Sequence, residues 1–271
     1  MSVDGLHVER LGAGPPVVLV HGSFGSGAKA FAGQRPLSDA HELLLVDRRG
    51  FGGSAAGEAV GWQADAADVV ALLEELGAAH LVGHSYGGVG CLLAAGMKPD
   101  AVLSVVAVEP PLFTAAAGDP AADELIEKTR AVAERAPELD IEDFMREWGA
   151  SLGQSRFEVQ AWTEGFSESD WANAEASRRE QWAGDAPVDY EALAAASFPK
   201  VLVHGGWNPE VVGHKAKVGA GFAAVCRAIA ERIGGEVESF AGSAHTPQHE
   251  EAAAFNELLR RVWTASAPPA D

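Results

Sequence analysis

The 271-residue chain is predicted to be an α/β protein: a mostly parallel central sheet flanked by helices, with a helical lid inserted late. Three observations predict this. Continuous apolar runs of strand length recur without polar alternation, as strands buried on both faces require. Stretches with helical spacing of apolar residues separate them, which is the pattern of parallel strands joined by helices. Finally, the strand-like runs stop between Leu112 and Phe198 and resume at Lys200.

Taken in order, Leu6 to Leu11 reads as an edge strand, and Pro16-Val17-Val18-Leu19-Val20 as a buried one. Glu42 to Asp47 is another apolar run, ending at a Gly-rich turn. Trp62 to Leu76 has helical spacing and stops at Gly77, a residue suited to the left-handed turn that ends helices. His80-Leu81-Val82 is a short strand, Val89 to Ala95 a helix, and Ala101 to Val108 a further strand. After the helical stretch, Lys200 to Gly205 is a strand, Val218 to Ile233 a helix, Glu236 to Phe240 a last strand and Glu250 to Trp263 a closing helix. The expected organisation is therefore a core of residues 1–111 and 199–271 with a lid of residues 112–198. That lid carries 19 acidic and 7 basic residues, a net of −12, and four of the seven tryptophans. Placed between two strands, it reads as a cover over the mouth of a site, with Trp148 among the candidate pocket residues.

At 47% hydrophobic residues and this length, the chain can bury one large core and still carry an inserted lobe. Its formal charge of −19 argues against a basic face for nucleic acid or anionic membrane, and favours a neutral or cationic small substrate over a polyanion. The two cysteines, Cys91 and Cys226, lie in apolar helical patterns outside any CxxC or Cys/His cluster, so neither a disulfide framework nor a metal site is expected. Met1 to Gly5 lacks a basic, then apolar leader, and no apolar stretch approaches a membrane span. A cytoplasmic protein with a small-molecule substrate and no cofactor is the expectation, and oligomeric state is open.

The densest signal is Gly83-His84-Ser85-Tyr86-Gly87-Gly88, set between an apolar strand and a helix. A Gly-x-Ser-x-Gly turn in that position is so tight that its flanks tolerate only small residues. It presents the serine Oγ beside a helix N-terminus, where developing negative charge is favoured. Ser85 is therefore the candidate nucleophile. A free serine hydroxyl is a poor nucleophile at neutral pH, so it needs a base.

Together these stretches resemble the α/β-hydrolase family over nearly the whole chain. His21-Gly22 stands where the family's third strand closes on its oxyanion loop, and Asp47-Arg48-Arg49-Gly50-Phe51-Gly52-Gly53-Ser54 resembles the family's D-x-R-G-x-G-x-S turn. The elbow surrounds Ser85, and Gly242-Ser243-Ala244-His245 resembles the late turn that delivers the catalytic histidine. The resemblance implies His245 as base. It gives His84 no catalytic role, His249 reads as a surface or capping residue, and His7, His41, His80, His204 and His214 show no clustering. It also implies backbone oxyanion donors at Tyr86 and Ser23, with Phe24 second to Ser23.

The triad acid departs from the family's usual pattern. His204-Gly205-Gly206-Trp207-Asn208-Pro209-Glu210 puts Asn208 where the family usually carries aspartate. An amide orients an imidazole but cannot stabilise an imidazolium by charge. Some relatives place the acid after the strand before the lid, and here that position is Glu109. A carboxylate ending a buried strand must be paired, hydrogen-bonded or protonated. Glu109 is the candidate acid, with Asn208 as neutral orienter and Glu210 or a water-mediated arrangement as alternatives. Phe24, Trp148 and Trp207 are candidate pocket residues. The resemblance implies a serine hydrolase of a small ester, lactone or related acyl compound. The alternatives are a non-hydrolytic cyclase or isomerase, or a hydrolase-derived ligand-binding protein.

Overall fold

The computed structural model describes residues 3–55 and 60–265 of the chain. Its first half runs β1 (Val8–Leu11), β2 (Pro16–Val20), α1 (Gly27–Ala30), β3 (Glu42–Val46), α2 (Trp62–Leu76), β4 (Ala79–His84), α3 (Tyr86–Met97) and β5 (Val102–Val108). Five helices follow: α4 (Pro120–Arg135), α5 (Ile141–Ser151), α6 (Arg156–Thr163), α7 (Glu168–Arg178) and α8 (Tyr190–Ala195). The chain then returns through β6 (Lys200–Gly205), α9 (Pro209–Val212), α10 (Ala216–Ile233), β7 (Glu236–Phe240), α11 (Pro247–Glu250) and α12 (Ala252–Ala265).

The seven strands make one sheet in the order β1-β3-β2-β4-β5-β6-β7. Only β1 is antiparallel to its neighbour; the other pairings are parallel. The apolar runs explain the layering. Val18, Leu44 and Leu81 face one helical layer and Val17, Leu43 and Val82 the other, all at 0% exposure. A β-strand turns successive side chains to opposite faces, so only a run without polar alternation suits a sheet covered on both sides.

Between β5 and β6 the described chain is helical, and its helices start at polar caps. Asp119 and Asp140 accept backbone N–H groups at the starts of α4 and α5, and Ser155 and Ser167 form reciprocal capping boxes with Glu158 and Asp170. A small apolar cluster around Val132, Phe144, Met145 and Val159 holds these helices together.

Two elements differ from the sequence expectation. The edge strand begins at Val8, because the Leu6 amide closes a turn onto the Val3 carbonyl at 3.1 Å. The closing helix is two helices broken at Glu251, whose carboxylate accepts Gly242 N–H at 2.9 Å and the Ser243 hydroxyl at 2.7 Å. Glu250 accepts Ala244 N–H at 2.8 Å, so both glutamates hold the turn that presents His245. His21–Gly22 follows the second strand of this chain rather than a third. No helix of the described residues is long and apolar enough to cross a membrane.

Candidate active site

All the sequence-predicted site residues except Trp148, which lies in α5, follow the carboxyl ends of strands, the edge where parallel sheets place ligands. Ser23 follows β2, Ser85 β4, Glu109 β5, Trp207 β6 and His245 β7. Ser85 sits at φ 51°, ψ −122°, between the end of β4 and the first residue of α3. The small flanks are a steric necessity. A Cβ on Gly83 would lie 2.5 Å from Gly88 Cα, and one on Gly87 2.4 Å from the carbonyl oxygens of Val20 and His21. The Ser85 amide donates to Val108 O at 2.7 Å, tying the elbow to the strand that ends in Glu109.

Glu109 is fully buried and receives three hydrogen bonds. Its Oε1 accepts Gly205 N–H at 2.8 Å and Trp207 Nε1–H at 2.7 Å, and its Oε2 lies 2.5 Å from His245 Nδ1. The carboxylate is the acceptor, so Nδ1 carries the proton and Nε2 is left with its lone pair. The ring is held by Phe222 at 4.8 Å and His84 at 4.9 Å between centroids. His84 Nε2–H also donates to the His245 carbonyl at 2.9 Å, fixing the backbone of that turn. Burial, with His245 beside it, holds the His84 imidazole well below its ordinary range and hence neutral. Asn208 is not part of this group: its side chain caps Glu210 N–H at 2.9 Å. No hydrogen bond among the described residues joins Ser85 Oγ to His245, although both line one cavity. Such contacts commonly tighten only when substrate binds.

Backbone strain converges here. The four non-glycine residues with positive φ among the described residues are Phe24 (65°), Ser85 (51°), Glu109 (43°) and Trp207 (45°). Residues held in that region cost of order 1–3 kcal/mol each and cluster at functional sites. Three of them line the cavity, and the fourth bonds His245.

The loop after β2 is fixed from the helical segment. Phe24 N–H donates to Ser177 Oγ at 2.8 Å, and the Ser23 hydroxyl donates to Glu180 Oε2 at 2.5 Å. With its amide engaged, Phe24 is no free donor. The Ser23 and Tyr86 amides make no hydrogen bond within the protein among the described residues. Glu180 is in turn an ion-pair partner of Arg48, at 2.6 Å, and the same guanidinium donates to Asp65 at 2.8 Å. Arg48 also lies against the Tyr86 ring, at 4.5 Å. Burial pushes both carboxyls up, Asp65 to about 7, against the pull of the shared guanidinium. His21 accepts Arg48 N–H at Nε2, at 3.0 Å, and donates from Nδ1 to Gly22 O at 2.6 Å. Burial and Arg48 hold it down at about 3, so it is a neutral structural pin.

The cavity measures about 420 Å³ and contains Phe24, Trp148 and Trp207 beside Ser85 and His245. Sequence reasoning missed the indole bond of Trp207, the stacking of Phe222 and the Ser177–Glu180 pair, all contacts between distant segments. It also read His41 and His80 as unclustered. The structure brings His41 to 4.5 Å from Trp263 and 6.3 Å from His80 between ring centroids, at the amino ends of the strands. Among the described residues no group of three or more His, Cys, Asp or Glu could hold a metal ion. Both cysteines are buried and free.

Comparison with known proteins gives these features a setting. A family model described as the alpha/beta hydrolase family matches residues 17–258. Over 108 residues the chain is 37% identical to the 2-(acetamidomethylene)succinate hydrolase of Mesorhizobium japonicum, and over 96 residues 32% identical to esterase YbfF of Escherichia coli. These matches span 38% and 35% of the chain, and 38% of the length of each relative. Among solved structures, MenH from S. aureus superposes with a TM-score of 0.69 at 17% identity, covering 96% of this chain and 98% of that one. An alpha/beta hydrolase from Sphaerobacter thermophilus gives 0.69 at 21% identity, covering 94% and 96%.

Proposed function

The chain belongs to the alpha/beta hydrolase family, and from that premise we propose that it cleaves a small ester, lactone or related acyl compound through a Ser85 acyl-enzyme. The observation that carries the reading is the 2.5 Å contact between His245 Nδ1 and the buried Glu109 carboxylate, on the cavity that Ser85 also lines. With Nδ1 protonated, Nε2 is the nitrogen free to take a proton from Ser85 Oγ. The oxygen then attacks the substrate carbonyl carbon, forming a tetrahedral oxyanion.

The N–H groups of Ser23 and Tyr86 receive that oxyanion; their freedom from other acceptors supports the assignment, as does the start of α3 at Tyr86. His245, now an imidazolium, is stabilised by Glu109 and gives its proton to the leaving alkoxide. Water then enters, loses a proton to Nε2 and attacks the acyl carbon; the bond from that carbon to Ser85 Oγ breaks, and Nε2 returns the proton to Oγ as the acid leaves. Residues 112–198 act as the lid that closes the cavity from above, since Trp148, Trp162 and Trp182 contribute to its wall. The relatives named as a hydrolase and an esterase support the reaction class.

A fluorophosphonate probe tests the reading. Stoichiometric labelling of Ser85, lost in Ser85→Ala and His245→Ala, is expected, together with turnover of short-chain p-nitrophenyl esters. No label and no turnover would sink it.

A further inference from the structure

Ser23 and Tyr86 belong to the core, yet their side chains are anchored on adjacent residues of the helical segment between β5 and β6. The Ser23 hydroxyl donates to Glu180 Oε2 at 2.5 Å, and the Tyr86 hydroxyl donates to the Gln181 carbonyl at 2.7 Å. The same stretch holds the surrounding loops. Ser177 Oγ accepts Phe24 N–H at 2.8 Å, and Asn173 Oδ1 accepts Gly52 N–H at 3.0 Å. Asn173 and Ser177 are one helical turn apart on α7. Glu180 and Gln181 come just after its end, where Glu180 N–H closes a turn onto Ser177 O at 3.1 Å. Polar residues at this spacing would ordinarily face water; here they are turned onto the loops that carry the oxyanion donors.

A carboxylate in the place of Glu180, with its side chain only 7% exposed, is stable only if paired. Arg48 pairs with it at 2.6 Å, shares its guanidinium with Asp65 at 2.8 Å and lies on the Tyr86 ring at 4.5 Å. Ser23, Glu180, Arg48 and Tyr86 therefore form one continuous chain of contacts from the first oxyanion donor to the second. The carboxylate gives the Ser23 hydroxyl a charge-assisted acceptor, which is stronger than a neutral one. The loop needs that restraint. Phe24 is held at φ 65°, a conformation that a bulky residue keeps only when its surroundings impose it. A Cβ on Gly22 would lie 2.8 Å from Ser85 Cβ, so this loop passes directly against the nucleophile. Any rotation of it swings the Ser23 amide, and an oxyanion donor acts only at about 2.7–3.1 Å from the developing charge.

Resting on the Ser85 reading, we propose that Glu180 is a positioning residue for the oxyanion hole: through the Ser23 hydroxyl it aims the Ser23 amide, so a residue of the helical segment completes a hole whose donors belong to the core. Arg48 is its counter-ion and ties the same carboxylate to Tyr86. Glu180 acts through Ser23 rather than on the substrate. Its effect belongs to the step in which charge moves onto the carbonyl oxygen, and substrate binding is left to the rest of the cavity.

The test follows kcat and KM for p-nitrophenyl butyrate beside inhibition by butaneboronic acid, which forms a tetrahedral adduct on a serine Oγ and sets a boron-bound oxygen in the hole. Glu180→Met keeps the volume, removes the acceptor and leaves Arg48 paired with Asp65. It is expected to lower kcat about 10–100-fold with KM within about twofold, and to raise the boronate inhibition constant by a similar factor. Glu180→Gln keeps an oxygen for the Ser23 hydroxyl and should recover most of the loss. Ser23→Ala retains the amide and every charge, and should reproduce the Glu180→Met defect. The double variant should be no worse than either single one, because both remove the same contact. A Ser23→Ala kcat within about threefold of the parent overturns the proposal, and does so even where Glu180→Met fails to fold. Additive losses in the double variant, or a loss carried by KM with the boronate constant unchanged, also overturn it. A parent that takes no fluorophosphonate label on Ser85 removes instead the reading on which it rests.

Discussion

Glu109→Gln is the sharpest perturbation of the proposed triad. Three N–H donors converge on the carboxylate: Gly205 N at 2.8 Å and Trp207 Nε1 at 2.7 Å on Oε1, and His245 Nδ1 at 2.5 Å on Oε2. An amide has one oxygen. Keeping it at the Oε1 position preserves two buried bonds and turns the NH₂ toward His245. The reverse placement leaves two buried donors facing a donor, at about 1–3 kcal/mol each. The favoured arrangement makes Nδ1 an acceptor and moves the imidazole proton to Nε2, the nitrogen that must accept from Ser85. In a serine protease the same acid-to-amide exchange lowers kcat by about 10⁴, or about 5.5 kcal/mol of barrier. The fold should survive, because two of three bonds remain. The expected result is thus a kcat for p-nitrophenyl butyrate reduced about 10³–10⁴-fold with a denaturant midpoint near that of the parent. A kcat within about tenfold of the parent refutes the role given to Glu109.

Three further outcomes are expected. Ser177→Ala removes the acceptor that turns Phe24 N–H away from the cavity. It should lower kcat about tenfold with little change in KM, Ser177→Thr restoring it; an equal rise in KM would argue against a positioning role. Gly87→Ala forces a Cβ to 2.4 Å from two carbonyl oxygens, so thermal scanning should show a loss of more than about 3 kcal/mol or no folded protein. His80 is buried and depressed from 6.5 to about 4, chiefly by burial with a contribution from His41. Its folded form stays neutral where the unfolded chain binds a proton, so its contribution is complete above 6.5 and declines as pH falls toward 4. Between pH 7 and 5 the urea-unfolding free energy of the parent should therefore fall about 2 kcal/mol more than that of His80→Gln. Parallel pH profiles would contradict this.

What the sequence disclosed follows from how local each signal is. Strands such as Pro16–Val20 and Glu42–Val46 are legible because burial on both faces demands a continuous apolar run. The elbow is legible because the close approach at Gly83 and Gly87 leaves its mark within five residues. Glu109 stood out through the cost of a carboxylate at the end of a buried strand. The bonds that hold it come from Gly205, Trp207 and His245, far along the chain, and no local pattern encodes them. The same is true of the loop after β2, where Ser23 is fixed by Glu180, 157 residues away. The break at Glu251 escaped notice because its helical periodicity is intact. What ends the helix is a tertiary demand, the capture of Gly242 and Ser243 by that carboxylate. Four strained residues converge on one site, yet only Ser85 sat in a motif that announces a strained turn.

The most direct test of the central claim is trapping of the covalent intermediate. Purified protein mixed with excess p-nitrophenyl butyrate is quenched in acid within the first turnovers, digested and read by mass spectrometry. A Ser85 acyl-enzyme predicts a butyryl adduct on the peptide containing Ser85, accompanied by a burst of p-nitrophenolate approaching one equivalent. In Glu109→Gln both should form more slowly, and in Ser85→Ala neither should form. Steady ester hydrolysis with an unmodified Ser85 peptide, or an adduct at another residue that survives Ser85→Ala, would contradict the claim.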